Sequence, residues 1–305
     1  MDAQSTTSTL DVYQIVTDQI ISLLKQGIIP WQKPWKDCGI PMNLMSKRHY
    51  RGINLWLLLS LNYEKSYFLT WDQIKGLGAS VNRDEKGHIV VFWKMVPKKD
   101  AKDDEQKKVP ILRYYKVFNV EQCRDIPQSL IPSSEEVIRE FTPLLECESI
   151  INTMPDCPKI VHKEQKAYYQ LDTDAINMPK KKSFNSEESY YATLYHELVH
   201  STGAEKRLNR KSLKEAMPFG SKPYAMEELV AEMGSSYLCQ FSGILPSQVE
   251  HQVAYVHNWL QVFENDKRFL IMASGHAQKA VDFILGKADD QLKKKEGEYM
   301  EIEVD

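Results

Sequence analysis

The sequence has no apolar run long enough to cross a bilayer. Its longest, Ile53 to Leu61, is broken by Asn54 and Ser60, far short of the ~20 residues a spanning helix needs. The segment Met1-Asp2-Ala3-Gln4-Ser5 has neither a basic flank nor an apolar stretch, which argues against a secretory signal. Cysteine is scarce and scattered: Cys38, Cys123, Cys147, Cys157 and Cys239, with no CxxC pair. An odd number at irregular spacing gives neither a disulfide framework nor a zinc knuckle, so reduced thiols in a cytoplasmic protein are expected. There is no internal repeat, and neither sign of charge dominates, the formal net charge being −3 over 305 residues.

That small net charge hides an asymmetry. Up to Glu135 there are 19 Lys+Arg against 15 Asp+Glu, so the remainder of the totals of 39 and 42 is 20 against 27. The first part is therefore +4 and the second −7, and five of the six tryptophans (Trp31, Trp35, Trp56, Trp71, Trp93) lie in the first. A mildly basic, Trp-rich half joined to an acidic half suggests two domains with different partners. Pro127, Pro132 and Ser133-Ser134 mark the boundary. The expected organisation is a disordered tail over 1–9, a first domain over 10–130, a second over 131–290 and a charged tail over 291–305.

Within the first domain, Asp11 opens an amphipathic helix with Val12, Ile15, Val16, Ile20, Leu23 and Leu24 on one face, and Gly27 ends it. An apolar helix follows from Ile53, and Thr70 is placed to cap a short helix from Trp71 to Leu77. His88 to Met95 and Ile111 to Val120 read as strands flanking a charge-dense loop, with Trp56 and Trp93 expected in the core. In the second domain, helices are expected over Val137 to Asn152, Ala225 to Cys239, Pro246 to Glu264 and Asp266 to Leu285. A strand is expected within Ala167 to Met178. Asn185, with Glu188 three residues on, has the spacing of a capping box and opens a helix that runs to Gly203.

That last helix carries His196-Glu197-Leu198-Val199-His200. Histidines four apart share a helix face, where both imidazoles can bind one tetrahedral Zn²⁺, one ion per chain. Glu197 adjoins the first, the position from which a carboxylate takes the proton of an attacking water. A catalytic zinc needs a third protein ligand and an open position. The three-histidine extension HExxHxxGxxH keeps Gly203 but fails at Lys206. The downstream run Glu227-Glu228-Leu229-Val230-Ala231-Glu232 offers carboxylates on one helix face at Glu228 and Glu232. This resembles the gluzincin arrangement of thermolysin-like peptidases, with Glu228 as third ligand and Glu232 orienting a ligand histidine; the reverse assignment stays open. The bland alternative is a zinc that only staples the domain, against which the base Glu197 argues. His251, His257 and His276 read as ordinary core or surface histidines. One of them, or Tyr224 or Tyr255, is open as an oxyanion stabiliser.

In the first domain, aromatics interleaved with cations suit single-stranded nucleic acid, because bases stack on rings and cations neutralise phosphates. The densest such cluster is Lys33, Trp35, Lys36, Arg48, Tyr50 and Arg51. The competing reading is an inert, solvated basic face.

Over residues 10–287 the chain resembles the ArdC-type antirestriction proteins of conjugative plasmids and related mobile elements. The matching stretches in the first half are Gly27-Ile28-Ile29-Pro30-Trp31 with Pro34-Trp35, Tyr50-Arg51-Gly52-Ile53-Asn54, Thr70-Trp71 with Gln73, Gly87, Val91-Phe92-Trp93 and Tyr115 to Val120. In the second half they are Met178-Pro179, Phe184, Tyr191 to Leu194, His196 to His200 with Thr202-Gly203, Glu227 to Glu232, Trp259 and Asp266 to Phe269. The loop from Pro97 to Pro110 departs from the pattern in its length. The resemblance implies an α+β protein: an N-terminal α/β domain that binds single-stranded DNA, then a mainly helical zincin-like metallopeptidase domain. It also implies protection of incoming DNA from host restriction. Two alternatives are kept: a pure DNA-binding protein with a non-hydrolytic zincin domain, and a zinc peptidase whose N-terminal domain recognises protein.

Overall fold

The computed structural model describes residues 11–31, 39–97, 108–132, 143–214, 221–244 and 252–287. The tails expected over 1–9 and 291–305 lie outside them. The described residues divide into two compact units. The first is drawn from Met1–Pro30, Lys36–Pro132 and Leu260–Ile271, and the second from Trp31–Trp35, Ser133–Trp259 and Met272–Asp305.

The first unit opens with helix α1 (Val12–Lys25), where the Asp11 side chain accepts from the backbone N–H groups of Tyr13 and Gln14. Two of the four N–H groups that a helix start leaves unpaired are thereby satisfied. Val12, Val16, Ile20 and Leu24 are buried as the apolar spacing predicts, and Gly27 follows the helix at φ +75°. Next come β1 (Met42–Asn43), α2 (Ile53–Leu59), β2 (Tyr67–Thr70), α3 (Trp71–Gly76), β3 (Ser80–Val81), β4 (His88–Pro97), β5 (Lys108–Asn119) and β6 (Cys123–Arg124). Thr70 caps α3 in a reciprocal capping box with Gln73.

The main sheet has the order β1-β2-β5-β4. The antiparallel β4–β5 hairpin pairs His88 with Val117 and continues to Pro97 with Lys108. Alternate strand residues point to opposite faces, and each face has its own core. Leu69 and Phe118 meet Leu44 and Ile74 on one side. Phe68, Val90 and Val117 meet Tyr50 and Leu58 on the other. The segment Leu260–Ile271 completes this unit: Thr17 donates to the Lys267 carbonyl at 2.9 Å, Lys25 pairs with Glu264 at 3.0 Å, and Lys267 pairs with Asp11.

The second unit contains α4 (Pro143–Thr153), β7 (Lys159–Val161), β8 (Tyr168–Gln170), β9 (Ala175–Asn177), α5 (Glu187–Ser201), α6 (Lys211–Lys214) and α7 (Lys222–Ser242). Helices α8 (Gln252–Asn265) and α9 (Phe269–Ile284) each belong partly to it. The stretch expected to contain one strand holds two, β8 and β9, reversed around Asp174 at φ +45°. The three-stranded order β7-β9-β8 leaves β8 at an edge. Helix α5 is capped by Ser186, whose side chain accepts from the Ser189 N–H, so the cap falls one residue after the expected Asn185. In α7 a Cβ on Gly234 would lie 2.8 Å from Val199 of α5. Glycine there lets the two helix backbones approach.

Trp56 is buried, as expected, but Trp93 is 53% exposed. The core assignment of Trp93 is therefore corrected: it lies on β4, the sheet's edge strand, where its ring contact among the described residues is the edge-on Tyr13 ring at 6.2 Å. The four described cysteines, Cys123, Cys147, Cys157 and Cys239, are free thiols. Among the described residues no helix is long and apolar enough to cross a membrane.

Candidate metal centre

Helices α5 and α7 pack against each other and supply the site. His196 and His200 stand one turn apart on α5, their Nε2 atoms 3.0 Å apart and their rings 4.7 Å between centroids. Two nitrogens bound tetrahedrally to one ion at ~2.05 Å are about 3.3 Å apart, so the pair fits a shared ion. The Glu228 carboxylate from α7 reaches both, each of its oxygens lying 3.7 Å from one histidine Nε2. One donor atom from each of His196, His200 and Glu228 lies within 4.8 Å of the others. Two imidazoles and one carboxylate form a donor set suited to a catalytic divalent ion with a position left open.

The surroundings are anionic. Burial alone would lower the pKa of His196, but a hydrogen bond with Glu228 and the charges of Glu197 and Glu232 outweigh it and raise the value to about 9. Burial opposes ionisation of Glu228, yet His196 and His200 hold its carboxyl below the usual range. A site that favours positive charge this strongly is also one that favours a cation in the protons' place. Glu197 is buried at 7% exposure yet borders the cleft beside the two histidines. Glu232, one turn after Glu228, is buried and close enough to His196 to shift it.

Sequence reasoning missed Glu227. Its Oε1 lies 3.3 Å from His200 Nδ1, so an N–H there leaves Nε2 free to face an ion. Glu227 also accepts from Arg210 Nε at 3.0 Å and Ser212 Oγ at 2.6 Å. Arg210, 5% exposed, in turn donates to the Val199 carbonyl at the end of α5 at 2.8 Å. The adjacent pair Glu227-Glu228 was the available signal, but only the position of Arg210 tells their roles apart.

The histidines and Glu228 open into a cleft of about 410 Å³, walled also by Ala167, Tyr168, Tyr169, Ser212 and Tyr224. The wall formed by edge strand β8 is pinned from behind. Tyr169 donates to Asp174 at 2.8 Å, and Asp174 is held by Arg207 at 2.7 Å and Lys206 at 2.6 Å. Lys206, the residue that breaks the three-histidine pattern, thus serves the wall. Tyr224 is the one oxyanion candidate that borders the cleft; His276 does not, and the side chains of His251, Tyr255 and His257 lie outside the described residues.

Of the nucleic-acid candidates in the first unit, Arg48 and Arg51 are exposed. Tyr50 is 7% exposed, with its ring edge-to-face on Phe68 at 6.0 Å. This corrects its assignment as a base-stacking residue, because neither face of an enclosed ring is open to a base. Lys33, Trp35 and Lys36 lie outside the described residues.

A mixed fold that sets an HExxH helix and a glutamate-bearing helix over an open cleft defines a zincin-like domain, and residues 147–276 match the model of the zincin-like metallopeptidases. Residues 10–118 match the N-terminal domain of the anti-restriction factor ArdC. The chain is also similar to crystal structures of the antirestriction protein ArdC of plasmid R388, at 34% identity. The metal-free form aligns with TM-score 0.75 over 92% of this chain and 98% of that one, and the Mn(II)-bound form with 0.73 over 91% and 98%. The chain belongs to the ArdC antirestriction family. A Sinorhizobium fredii protein, y4eC, is 32% identical over 92% of this chain and 93% of its own length. Two Escherichia coli proteins named DNA primase TraC are 32% and 33% identical over 92% of this chain, which spans only 20% and 27% of their lengths.

Proposed function

We propose that this chain binds single-stranded DNA through its first unit and carries a zinc peptidase centre in its second, and that it acts in the cytoplasm to protect DNA entering by conjugation from host restriction. The observation that carries the peptidase reading is the convergence of His196, His200 and Glu228 beside Glu197 in an open cleft. His196, His200 and Glu228 would hold the zinc, which would supply Lewis-acid polarisation of a peptide carbonyl. Glu197 takes the proton of the attacking water and passes it to the leaving amine. Among the described residues strand β8 lies at a sheet edge, to which an extended peptide can add as a further strand. Tyr224 is the group we assign to the oxyanion. Glu227 keeps His200 oriented, and Glu232 serves His196. For the DNA reading, support comes from the family match over residues 10–118 and from exposed cations and rings in that unit.

The deciding variant is Glu197→Gln. It should keep its metal and its affinity for single-stranded DNA while losing at least about 100-fold in hydrolysis of a cleaved protein substrate and losing protection from restriction. Full protection by a variant that binds metal and DNA would show that coating of DNA suffices and that the centre is not used for hydrolysis.

A further inference from the structure

On one face of the main sheet of the first unit, several rings are partly open to solvent. Cross-strand partners share a face, as do alternate residues along a strand. The pairs Trp93 with Leu112 and Val91 with Tyr114 therefore put Trp93, Tyr114, Lys116 and Phe118 on the same face. Phe118 is buried there, and the Trp71 ring stands 5.8 Å from it. Three rings on this face are partly open to solvent, Trp71 at 47%, Trp93 at 53% and Tyr114 at 37%, with Val91 and Leu112 buried beside them and the Tyr13 ring edge-on to Trp93 at 6.2 Å. The cations are interleaved. Lys116 is exposed between Tyr114 and Phe118, and the Lys75 ammonium lies over the Trp71 ring, 5.6 Å from its centre. From Tyr114 to Phe118 the strand covers about 14 Å at ~3.4 Å per residue. Two acids adjoin the row, Asp72 beside Trp71 and Asp11 beside the Tyr13 that packs on Trp93.

Exposed apolar rings in a row mark a binding surface, and their chemistry selects the partner. A protein partner would bury rings in a pocket with charges moved to the rim. Here cations lie among the rings themselves, Lys116 between Tyr114 and Phe118 and Lys75 over Trp71, as suits a chain that presents both bases and phosphates. Duplex DNA does not fit, because its bases are already stacked on one another.

We propose that this face of the β1-β2-β5-β4 sheet is the track for single-stranded DNA, with Trp71, Tyr114 and Trp93 as stacking platforms and Lys75 and Lys116 at the phosphates. The proposal rests on the reading of the first unit as a DNA-binding unit and names the surface that the reading leaves open. The test uses the full-length protein and a fluorescein-labelled oligothymidylate, followed by anisotropy at low salt. Trp71→Ala, Tyr114→Ala and Trp93→Ala should each weaken binding about 5- to 100-fold. Lys116→Ala should reduce the slope of log K against log salt by about 0.7. Phe92→Ala, on the opposite face, should keep wild-type affinity. Unchanged melting and metal content establish that the variants are folded. Wild-type binding that the three ring variants leave intact overturns this face and spares the DNA reading, whereas failure of the wild type to bind the oligonucleotide overturns both.

Discussion

Arg210 satisfies two elements at once. It accepts the role of a C-terminal cation for α5, meeting the Val199 carbonyl, and it fixes the carboxylate that steadies His200 on the same helix. Replacing Glu227 by Gln leaves Arg210 buried without its countercharge and weakens the grip on the imidazole. Affinity for zinc should fall about 10- to 100-fold, measured by competition with a chromophoric chelator; an unchanged affinity would remove Glu227 from the site. Asp174 permits a second residue-level prediction. Burial opposes its charge, but Arg207 and Lys206 overcome this and hold the folded carboxyl well below the unfolded value of 3.8. A depressed folded pKa stabilises above the unfolded pKa and is lost as the pH falls through that value and below. Asp174→Asn, which tolerates the positive φ of that position, should therefore destabilise the protein at pH 6, with the gap from wild type narrowing by pH 3 in urea titrations. A gap that widens with acid would contradict the pairing.

At the scale of elements, the approach of α5 to α7 sets the distance between the two histidines and Glu228. Gly234→Ala would gain up to about 1 kcal/mol from helix propensity, but its Cβ meets both Val199 methyl groups, at 2.8 and 3.0 Å. Overpacking costs about 1–3 kcal/mol, and the forced separation of the helices that carry the proposed ligands should also weaken metal binding. Adding Val199→Ala should restore the metal affinity; failure to do so would locate the defect elsewhere. The legibility of these elements followed how local their causes are. The HExxH spacing, the Asp11 and Thr70 caps and the pairing strands β4 and β5 could all be read along the chain, because neighbours a few residues apart produce them. Trp93 could not, since an apolar residue on an edge strand looks the same in sequence whether or not another element covers it. Nor could the parallel pairing of β7 with β9, or the division of labour between Glu227 and Glu228, which lie about 100° apart on a helix and acquire roles only through Arg210.

For the whole molecule, the division into units does not follow a single cut in the chain. Leu260–Ile271 belongs with residues that precede Pro132, and its contacts secure α1 through Asp11, Thr17 and Lys25. Residues 1–135 expressed alone lack this segment. They should melt well below the corresponding transition in the full chain, with amide exchange fastest along α1, and supplying 252–287 in trans should slow that exchange. Equal protection of α1 in the fragment would show that the segment contributes nothing to the unit.

The same arrangement sets a timetable for the nascent protein. About 140 residues separate Pro132 from the completion of Leu260–Ile271, which at 5–20 residues per second takes a ribosome roughly 7–28 s. During that interval α1 has emerged but lacks the segment it packs on, and the proposed metal ligands on α5 and α7 are made before it arrives. A polypeptide interrupted by a late stop codon therefore forfeits an early helix along with its terminus.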